Sequence, residues 1–367
     1  MFRRVGVRWS SVAELARRPQ RPVHMRQMLS WGSEGPSSRG ALQMQAFLLE
    51  ELPVRLARRV VELETLPHGL SRMPSVQRVH AWYESSVRDI LEAKTQTPSQ
   101  FQETLIRILN KHNDVVPSMA RGIIELKQQL APSEREHIDE DPFLQDFLDR
   151  FFMARIGLRV LIGNFVALSS PRPGFNGMFE THCPVARVVQ IAAEEAASIC
   201  SRVYGITPHV QIKGKLDLKT TYIPEHIHHI MFELLKNSMR ASVESAEAKK
   251  RDVHDIEVVL ADGDVDIAIK ISDRGGGIPR KNMKKVFAYA YTTVKTPPAV
   301  TSSGASSPQM AGLTHVPMAG YGYGLPLSRL YAHTFGGDLV VISLDGHGTD
   351  AFLFLNKLHE STEIVPK

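Results

Sequence analysis

The stretch HHIMFELLKNSMRA, residues 228–241, carries the pattern that decides the fold of the second half of the chain. A helix advances about 100° per residue, so residues three, four and seven positions apart share a face. Four polar residues fall on one such face: His229, Glu233, Asn237 and Arg240. The opposite face is apolar and is expected to pack into a core: Ile227, Ile230, Met231, Leu234 and Ala241. The stretch predicts an amphipathic helix whose polar face is either a site or simply solvated.

The residue types on the polar face suit phosphate chemistry. A carboxylate such as Glu233 can take a proton from a hydroxyl or a water. The amide oxygen of Asn237 is a hard ligand that suits Mg²⁺, which keeps several waters and binds substrate phosphates. His229 lies one turn before Glu233, where it can hydrogen-bond the carboxylate and adjust its basicity. Lys236, near the edge of the face, adds a cation to that of Arg240.

A second segment, ISDRGGGIP (residues 271–279), follows a predicted strand pair. Residues 256–260 and 266–272 are expected to form strands around a turn at 261–264, because apolar residues alternate along them. The three glycines after Asp273 allow a close approach of backbone to a flat ligand. A carboxylate at this strand end suits an exocyclic amine such as N6 of adenine, whereas the alternative is a glycine turn with a capping aspartate.

A third segment, GYGYGLPLSRLYA (residues 320–332), places three glycines before Pro326. Proline suits the first turn of a helix, here predicted to run to about residue 335. Glycine-rich backbone at a helix N-terminus binds phosphates through its N–H groups. The pattern is neither a dinucleotide fingerprint nor a Walker A loop, and the motifs of ordinary protein kinases are absent.

The stretch between these two segments, residues 294–319, is rich in Pro, Ser, Thr and Gly and has almost no charge. Such a composition does not pack a core. Its position between the predicted adenine and phosphate segments indicates a mobile lid that closes over ATP. The alternative is an insertion without a role.

The length and the charge of the chain limit the number of domains and the classes of protein to which it can belong. The 367 residues exceed one typical domain, so two are expected. The net charge of +5 lies partly in the first forty residues, which hold eight Arg and only two acidic residues, so nucleic-acid binding is not inferred. This Arg-rich start predicts a mitochondrial transit peptide over residues 1–25. No apolar run approaches the roughly 20 residues of a membrane span, and Cys183 and Cys200 are too few for a disulfide framework.

The first half of the chain is helical in pattern. Four helices are predicted, at 41–66, 75–94, 98–129 and 140–169, and they read as a bundle. A stretch with two prolines and two glycines, residues 169–177, then marks a boundary. Helices and strands alternate after it, which predicts a mixed sheet with helices on one face. The predicted class is α+β, with a helical domain over 26–170 and an α/β sandwich over 175–360.

Seven segments carry a resemblance to a known family. The three segments above resemble, in order, the ATP site of the GHKL (Bergerat-type) superfamily. Four helical strings resemble the mitochondrial 2-oxoacid dehydrogenase kinases, and the pyruvate dehydrogenase kinases most: ELPVRLARRV (51–60), PSVQRVHAWY (74–83), KHNDVVPSMARG (111–122) and FLDRFFMARIGLRVLI (147–162). The resemblance runs from about residue 24 to residue 358 and implies a helical bundle followed by a GHKL ATP-binding domain.

The resemblance implies a function as well as a fold. It implies a Mg·ATP-dependent protein serine kinase of the mitochondrial matrix that phosphorylates the decarboxylase component of the pyruvate dehydrogenase complex and inactivates it. It also implies docking to the lipoyl domain of the acyltransferase component and a homodimer formed through the C-terminal sheet. A branched-chain 2-oxoacid dehydrogenase kinase is the alternative within the family, and an ATPase switch without phosphoryl transfer is the alternative outside it.

The same resemblance implies roles by position. Glu233 matches the general base, His229 its partner and Asn237 the Mg²⁺ ligand. The remaining matches are to nucleotide-binding residues: Lys236, Arg240, Asp273, Gly275, Gly277, Thr292, Thr293, Gly320, Tyr321, Gly322, Tyr323, Gly324, Leu325 and Thr349.

Two further features of the sequence, at His112 and at the last residues, lead to predictions. His112 precedes Asn113, whereas the phosphoacceptor histidine of two-component kinases precedes an acidic residue, so a buried structural role is predicted and a phosphohistidine is the alternative. The last residues, NKLHESTEIVPK, lack the Asp-Trp pair of the resembled kinases. Weaker stimulation by a free lipoyl domain is therefore expected.

Overall fold

Among the described residues, seven α-helices of seven residues or more form the first part of the molecule. The structure is a computed structural model that describes residues 9–32, 39–131, 134–135, 138, 140–291, 322–357, 362–363 and 365–366. The helices are α1 (Trp9–Arg17), α2 (Met25–Trp31), α3 (Arg39–Glu64), α4 (Pro74–Glu92), α5 (Pro98–Lys111), α6 (Val115–Gln129) and α7 (Pro142–Leu168). They pack as the predicted bundle, in which α3 contacts α1, α4 and α7, and α4 contacts α6.

The predicted single helix at 98–129 is wrong, because the chain there forms two helices. α5 ends at Lys111 and α6 begins at Val115. Pro117 lies in the first turn of α6, so it has no N–H to donate and its ring would clash with the carbonyl four residues earlier in a continuous helix. The break places His112 at the corner, where its backbone N–H donates to the carbonyl of Ile108 at 3.1 Å.

α7 is the central helix of the bundle and is buried on nearly all sides. Among the described residues it is the one helix long and apolar enough, by length and composition, to cross a membrane. Its apolar window is 78% buried inside the protein, as in the core helix of a folded domain. Arg155 and Arg159 interrupt the apolar sequence of this helix, so it holds no continuous apolar run of that length.

α1 lies within the segment predicted as a transit peptide, and it is folded onto the bundle. Val12 of α1 is buried, and α1 packs along α3. The guanidinium of Arg58 donates to the carbonyl oxygens of Ala16 and Arg18, at 3.0 and 2.9 Å. Arg21, just after α1, pairs with Glu51 of α3.

In the described residues of the second part, three α-helices combine with eight strands. The helices are α8 (Val185–Tyr204), α9 (Pro224–Lys249) and α10 (Gly324–His333). The strands are β1 (Phe175–Asn176), β2 (Phe179–Pro184), β3 (Val210–Gly214), β4 (Lys219–Tyr222), β5 (Ile256–Asp262), β6 (Asp266–Asp273), β7 (Asp338–Leu344) and β8 (Gly348–Asn356).

Five strands form the predicted mixed sheet, in the order β3-β5-β6-β8-β7. β3 is parallel to β5, and the other neighbours are antiparallel. Alternate residues of β6 are buried, namely Ile267, Ile269, Ile271 and Asp273, because α9 and its neighbouring helices cover that face. The predicted α+β class, a helical bundle followed by an α/β sandwich, is confirmed.

A second sheet was not predicted. Strands β1, β2 and β4 form a small antiparallel sheet beside the boundary between the two parts. These strands have two to six residues, which is too short for an alternation of apolar residues to be recognised in the sequence.

Candidate nucleotide-binding and catalytic site

A cavity of about 620 Å³ opens between α9, the end of β6 and the start of α10. Its walls come from all three of the segments singled out in the sequence. The predicted site residues that line it are Glu233, Asn237, Arg240, Asp273, Gly275, Gly277, Gly322, Gly324, Leu325 and Thr349. Its volume lies in the range of small-molecule and cofactor sites.

The polar face of α9 faces this cavity, as its spacing predicted. Glu233, Asn237 and Arg240 line the wall one turn apart, whereas Ile227 and Ile230 are fully buried in the core. Ala241 was expected in the core, and that prediction is wrong because Ala241 lines the cavity. At this turn α9 lies against the glycine segment, and a Cβ at Gly275 would be 2.5 Å from the Cβ of Ala241.

Glu233 holds an ion pair inside the site. Its Oε1 accepts a hydrogen bond from Lys236 Nζ at 2.8 Å, and Lys236 is only 5% exposed. Lys236 does not line the cavity and is positioned instead as the partner of the carboxylate. The backbone of Gly324 approaches from the other side, where a Cβ would lie 2.3 Å from Glu233 Oε2. A larger residue at that position would have to displace the carboxylate, so glycine lets the start of α10 reach it.

His229 does not make the predicted hydrogen bond to Glu233. Its Nε2 is buried without a hydrogen-bond partner in the described part of the chain, and its ring packs 4.7 Å from the ring of Tyr331. Burial lowers the pKa of His229, and the charge of Glu233 opposes that shift. His229 is therefore a neutral imidazole next to the base and outside the cavity.

Asp273 is held rigidly at the end of β6. Its Oδ1 accepts from the backbone N–H groups of Gly275 and Thr349, at 2.8 and 3.3 Å. Its Oδ2 accepts from the hydroxyl of Ser238, on α9, at 3.1 Å. Burial raises the pKa of this carboxyl, and the hydrogen bond from Gly275 opposes the shift. A carboxylate has about four lone-pair sites, so these three hydrogen bonds leave Asp273 able to accept from one further donor.

The glycine segment after Asp273 turns sharply against β7. Gly277 has φ +73°, in the left-handed region, and a Cβ there would be 2.0 Å from the carbonyl oxygen of Leu344. Such a backbone is accessible to glycine and strained for other residues. The turn brings the chain back along the cavity, where Ile278 and Asn282 also form the wall.

Several predicted site residues cannot be placed against this cavity. Thr292, Thr293, Gly320, Tyr321 and the predicted lid at 294–319 lie outside the described residues. Tyr323 is described and buried, and its ring packs against Phe152 of α7 rather than lining the cavity.

Some lining residues were missed by the sequence-based argument. Ser238 binds Asp273, although it lies beside the predicted face of α9. Glu244, Ser245 and Lys249 extend the wall further along the same helix. Continuing the helical spacing past Ala241 would have indicated the last three.

The cavity suits a magnesium ion that is bound mainly by phosphates and water. No group of three or more His, Cys, Asp or Glu that could hold a metal occurs among the described residues. Asn237 offers one amide oxygen beside Glu233 in the same wall. Mg²⁺ commonly binds with few protein ligands and several waters, so the residues present fit this ion.

His112 lies away from the cavity, inside the helical bundle. Its Nε2 is 3.0 Å from the hydroxyl of Ser86, its ring packs 4.4 Å from that of Tyr83, and its carbonyl oxygen accepts from Arg155. Burial, and next the charge of Arg155, lowers its pKa to about 3. This environment agrees with the predicted structural role.

Two family profiles match the chain, the first mainly over the helical bundle and the second over the α/β part. The description of the first is mitochondrial branched-chain alpha-ketoacid dehydrogenase kinase, over residues 22–182. The description of the second is histidine kinase-, DNA gyrase B-, and HSP90-like ATPase, over residues 222–359. A helical bundle joined to this ATP-binding fold, with a carboxylate and an amide in the wall of one cavity, defines a protein of the GHKL class.

Three similar proteins identify the family within this class. A mitochondrial [pyruvate dehydrogenase (acetyl-transferring)] kinase of Arabidopsis thaliana is 41% identical over 95% of this chain and 93% of its own length. Isozyme 4 of the human kinase is 40% identical over 97% of this chain and 86% of its own length. The mouse isozyme 4 is 39% identical over 94% and 83%. The chain belongs to the mitochondrial pyruvate dehydrogenase kinase family.

Proposed function

We propose that the chain is a Mg·ATP-dependent serine kinase that phosphorylates and inactivates the decarboxylase component of a pyruvate dehydrogenase complex in the mitochondrial matrix. The observation that carries this proposal is the cavity in which Glu233, Asn237, Asp273 and the glycine segments meet. The near-full-length similarity to kinases named for this substrate supports the choice of substrate.

Each wall of the cavity has a task in phosphoryl transfer. Asp273 accepts a hydrogen bond from the adenine amine, and the backbone around Gly322 and Gly324 donates to the phosphates. Asn237 holds Mg²⁺, which when bound neutralises charge on the phosphates. Glu233 takes the proton of the serine hydroxyl, with Lys236 keeping the carboxylate in place. The transfer itself then depends mainly on positioning and charge.

The test is to incubate the protein with labelled ATP and with purified pyruvate and branched-chain dehydrogenase complexes. We expect label on the decarboxylase component of the pyruvate complex. Label on the branched-chain complex alone would support the alternative that the description of the first profile suggests. ATP hydrolysis without any labelled protein would indicate an ATPase switch and would overturn the proposal.

The role of Asn237 in metal binding has its own test. Asn237→Ala should weaken ATP binding in the presence of Mg²⁺ and leave the fold intact, because Asn237 is on the cavity face of α9 and not in the core. Calorimetric titration with ATP, with and without Mg²⁺, measures this effect. A variant whose Mg²⁺-dependent affinity equals that of the wild type would exclude Asn237 as the ligand.

The outer face of the five-stranded sheet supports a homodimer. Val340, Ile342 and Leu344 of β7 are 36%, 54% and 65% exposed, and the rings of Phe352 and Phe354 stack beside them on β8. An apolar patch of this kind marks an interaction surface. Sedimentation of the wild type should show a dimer, and the double variant Ile342→Glu/Leu344→Glu should be monomeric. A wild type that is monomeric at micromolar concentration would contradict the dimer.

Lipoyl-domain docking rests on the surface around Phe47. The Phe47 ring packs 5.5 Å from Trp31, and the guanidinium of Arg21 lies 5.1 Å above it. The measurement is kinase activity with and without a free lipoyl domain. Stimulation by the lipoyl domain is expected, and activity that does not change on its addition would contradict docking at this surface.

The N-terminal residues support import into mitochondria, and the relatives are named mitochondrial. A fusion of residues 1–30 to a reporter should enter the organelle, and a diffuse cytosolic signal would reject this location. Because α1 is folded onto α3, we expect residues from Trp9 onward to remain in the imported protein. Mass spectrometry of its N-terminus checks this expectation.

A further inference from the structure

Three residues of α7 contact the chain that borders the glycine-rich end of the nucleotide cavity. They are Gln145, Asp149 and Phe152, at positions i, i+4 and i+7, which share one face of a helix. None of the three lines the cavity itself. They belong to the helical bundle, whereas the chain they contact belongs to the ATP-binding domain.

Gln145 holds the backbone of Tyr289 from both sides. The N–H of Tyr289 donates to Gln145 Oε1 at 2.7 Å, and Gln145 Nε2 donates to the carbonyl oxygen of Tyr289 at 3.4 Å. One side-chain amide thus satisfies both polar backbone groups of one residue. Tyr291, which lines the cavity, follows two residues later, so Gln145 sets the position from which that part of the wall starts.

Asp149 holds the side chain of the same tyrosine. The hydroxyl of Tyr289 donates to Asp149 Oδ1 at 2.8 Å, and Tyr289 is only 1% exposed. Burial, and next the charge of Asp149, raises the pKa of Tyr289 well above its usual value. The hydroxyl therefore stays protonated and keeps donating to the carboxylate.

The ring of Phe152 contacts two stretches of chain that border the cavity, one at Tyr289 and one at Tyr323. Its ring lies 5.5 Å from that of Tyr289 and 5.8 Å from that of Tyr323, and the two tyrosine rings are 5.3 Å apart. Tyr323 stands between Gly322 and Gly324, which both line the cavity. Gly322 in turn lies against Tyr291, because a Cβ on Gly322 would be 2.4 Å from the carbonyl oxygen of Tyr291.

We propose that this face of α7 is a positioning surface for the glycine-rich end of the cavity, so that nucleotide affinity depends on the helical bundle. Gln145 and Asp149 act through Tyr289 and do not touch the nucleotide. Phe152 keeps Tyr289 and Tyr323, and with them the two adjoining stretches of wall, in one arrangement.

The test uses variants that remove one contact at a time. Asp149→Ala, Gln145→Ala and Tyr289→Phe should each raise the Kd for ADP and the KM for ATP about threefold to tenfold, the range of a lost hydrogen bond. The kcat should change less than twofold, because the reacting groups are untouched. Asp149→Asn keeps an acceptor for the tyrosine hydroxyl and should stay within twofold of the wild type.

Asp146→Ala is the matched control, since Asp146 lies on the same helix, is 66% exposed and pairs only outward, with Arg150. The double variant Asp149→Ala/Tyr289→Phe should be no worse than either single variant, because both remove the same hydrogen bond. Calorimetry with ADP measures affinity without any protein substrate, so the outcome is independent of the kinase assay that tests the proposed function.

Three outcomes would overturn the proposal. The first is unchanged ADP affinity and ATP KM in Tyr289→Phe and Asp149→Ala, with thermal unfolding showing folded protein. The second is a loss of kcat alone in these variants. The third is a loss of affinity in Asp146→Ala equal to that in Asp149→Ala. Tyr289→Phe removes a single oxygen atom, so it remains informative even where the alanine variants unfold.

Discussion

Glu233 differs from the other carboxylates of the site in having a buried cation as its partner. Lys236 binds its Oε1 at 2.8 Å, and the backbone of Gly324 packs against its Oε2 side. Glu233→Gln keeps the shape and still accepts from Lys236, but it cannot take a proton. We therefore expect nucleotide binding to persist and kcat to fall about 10²–10⁴-fold, the usual contribution of a general base.

The measurement is single-turnover phosphoryl transfer together with ADP affinity. His229→Ala should be milder, because His229 neither lines the cavity nor hydrogen-bonds the carboxylate. A loss of less than about threefold in Glu233→Gln, far below the range for a base, would mean that Glu233 is structural.

Asp273 is predicted to select adenine. Gly275, Thr349 and Ser238 all donate hydrogen bonds to the carboxylate of Asp273. Asp273→Asn replaces one accepting oxygen by an NH2 group, which is itself a donor. ATP and ADP affinity should both fall about tenfold to a hundredfold, as for a hydrogen bond to a charged group. Asp266→Asn, at the other end of β6, is the control. Equal use of GTP and ATP by the wild type would show that Asp273 does not read the base.

At the scale of elements, the break between α5 and α6 explains the setting of His112. A continuous helix would have carried His112 past this corner, whereas the break lets its imidazole meet Ser86 and Tyr83 of α4. The pattern of apolar residues continues across the break, so periodicity alone does not reveal it. Pro117 is the signal in the sequence, because a proline in a helix interior removes a backbone hydrogen bond and kinks or breaks the helix.

The buried histidine makes stability depend on pH. The pKa of His112 is about 3 in the folded protein against 6.5 ordinarily, so between these values the unfolded chain binds the proton and the native state does not. Stability is therefore complete above about pH 6.5 and is lost as pH falls toward 3, by at most about 1.4 kcal/mol per pH unit for this group. Denaturant unfolding between pH 4 and 7 measures the slope.

His112→Asn should reduce that slope by the contribution of one proton. His209→Asn, at a side chain that is 73% exposed, should leave the slope unchanged. A slope in His112→Asn equal to that of the wild type would show that other groups account for the acid sensitivity.

At the scale of the whole molecule, a buried ion cluster joins helix α3 of the bundle to the last described residues of the chain. Arg55 of α3 donates to both carboxylate oxygens of Glu363, at 2.6 and 2.9 Å, and to Glu51 at 3.0 Å. All three side chains are less than 5% exposed. Arg55→Ala leaves the buried carboxylate of Glu363 without Arg55, whereas Glu51 keeps its pair with Arg21. The free energy of unfolding should therefore fall by about 3–5 kcal/mol, as for a broken buried pair.

The comparison variant is Arg88→Ala, which removes an exposed pair with Glu84 of the same i,i+4 spacing. Exposed pairs contribute about 0–1 kcal/mol, so this variant should unfold close to the wild type. Equal denaturation midpoints for Arg55→Ala and Arg88→Ala would show that the buried cluster contributes no more to stability than the exposed pair does.

The sequence by itself determined features that lie within a single helix or strand. The spacing of Glu233, Asn237 and Arg240 was enough to place them on one wall, because a helix repeats every 3.6 residues. Alternation likewise placed Ile267, Ile269 and Ile271 on the covered face of the sheet. The glycines and Asp273 could be assigned because each lies at the end of a recognisable strand or helix.

Only the tertiary structure decided which of these elements meet. The hydrogen bond from Ser238 to Asp273 spans 35 residues, that from Tyr289 to Asp149 spans 140, and the pair of Arg55 with Glu363 spans 308. Periodicity describes a residue relative to its own helix or strand, whereas these contacts depend on how whole elements pack. For that reason the sequence predicted the chemistry of the cavity, and the packing of α7 revealed what holds its glycine-rich end.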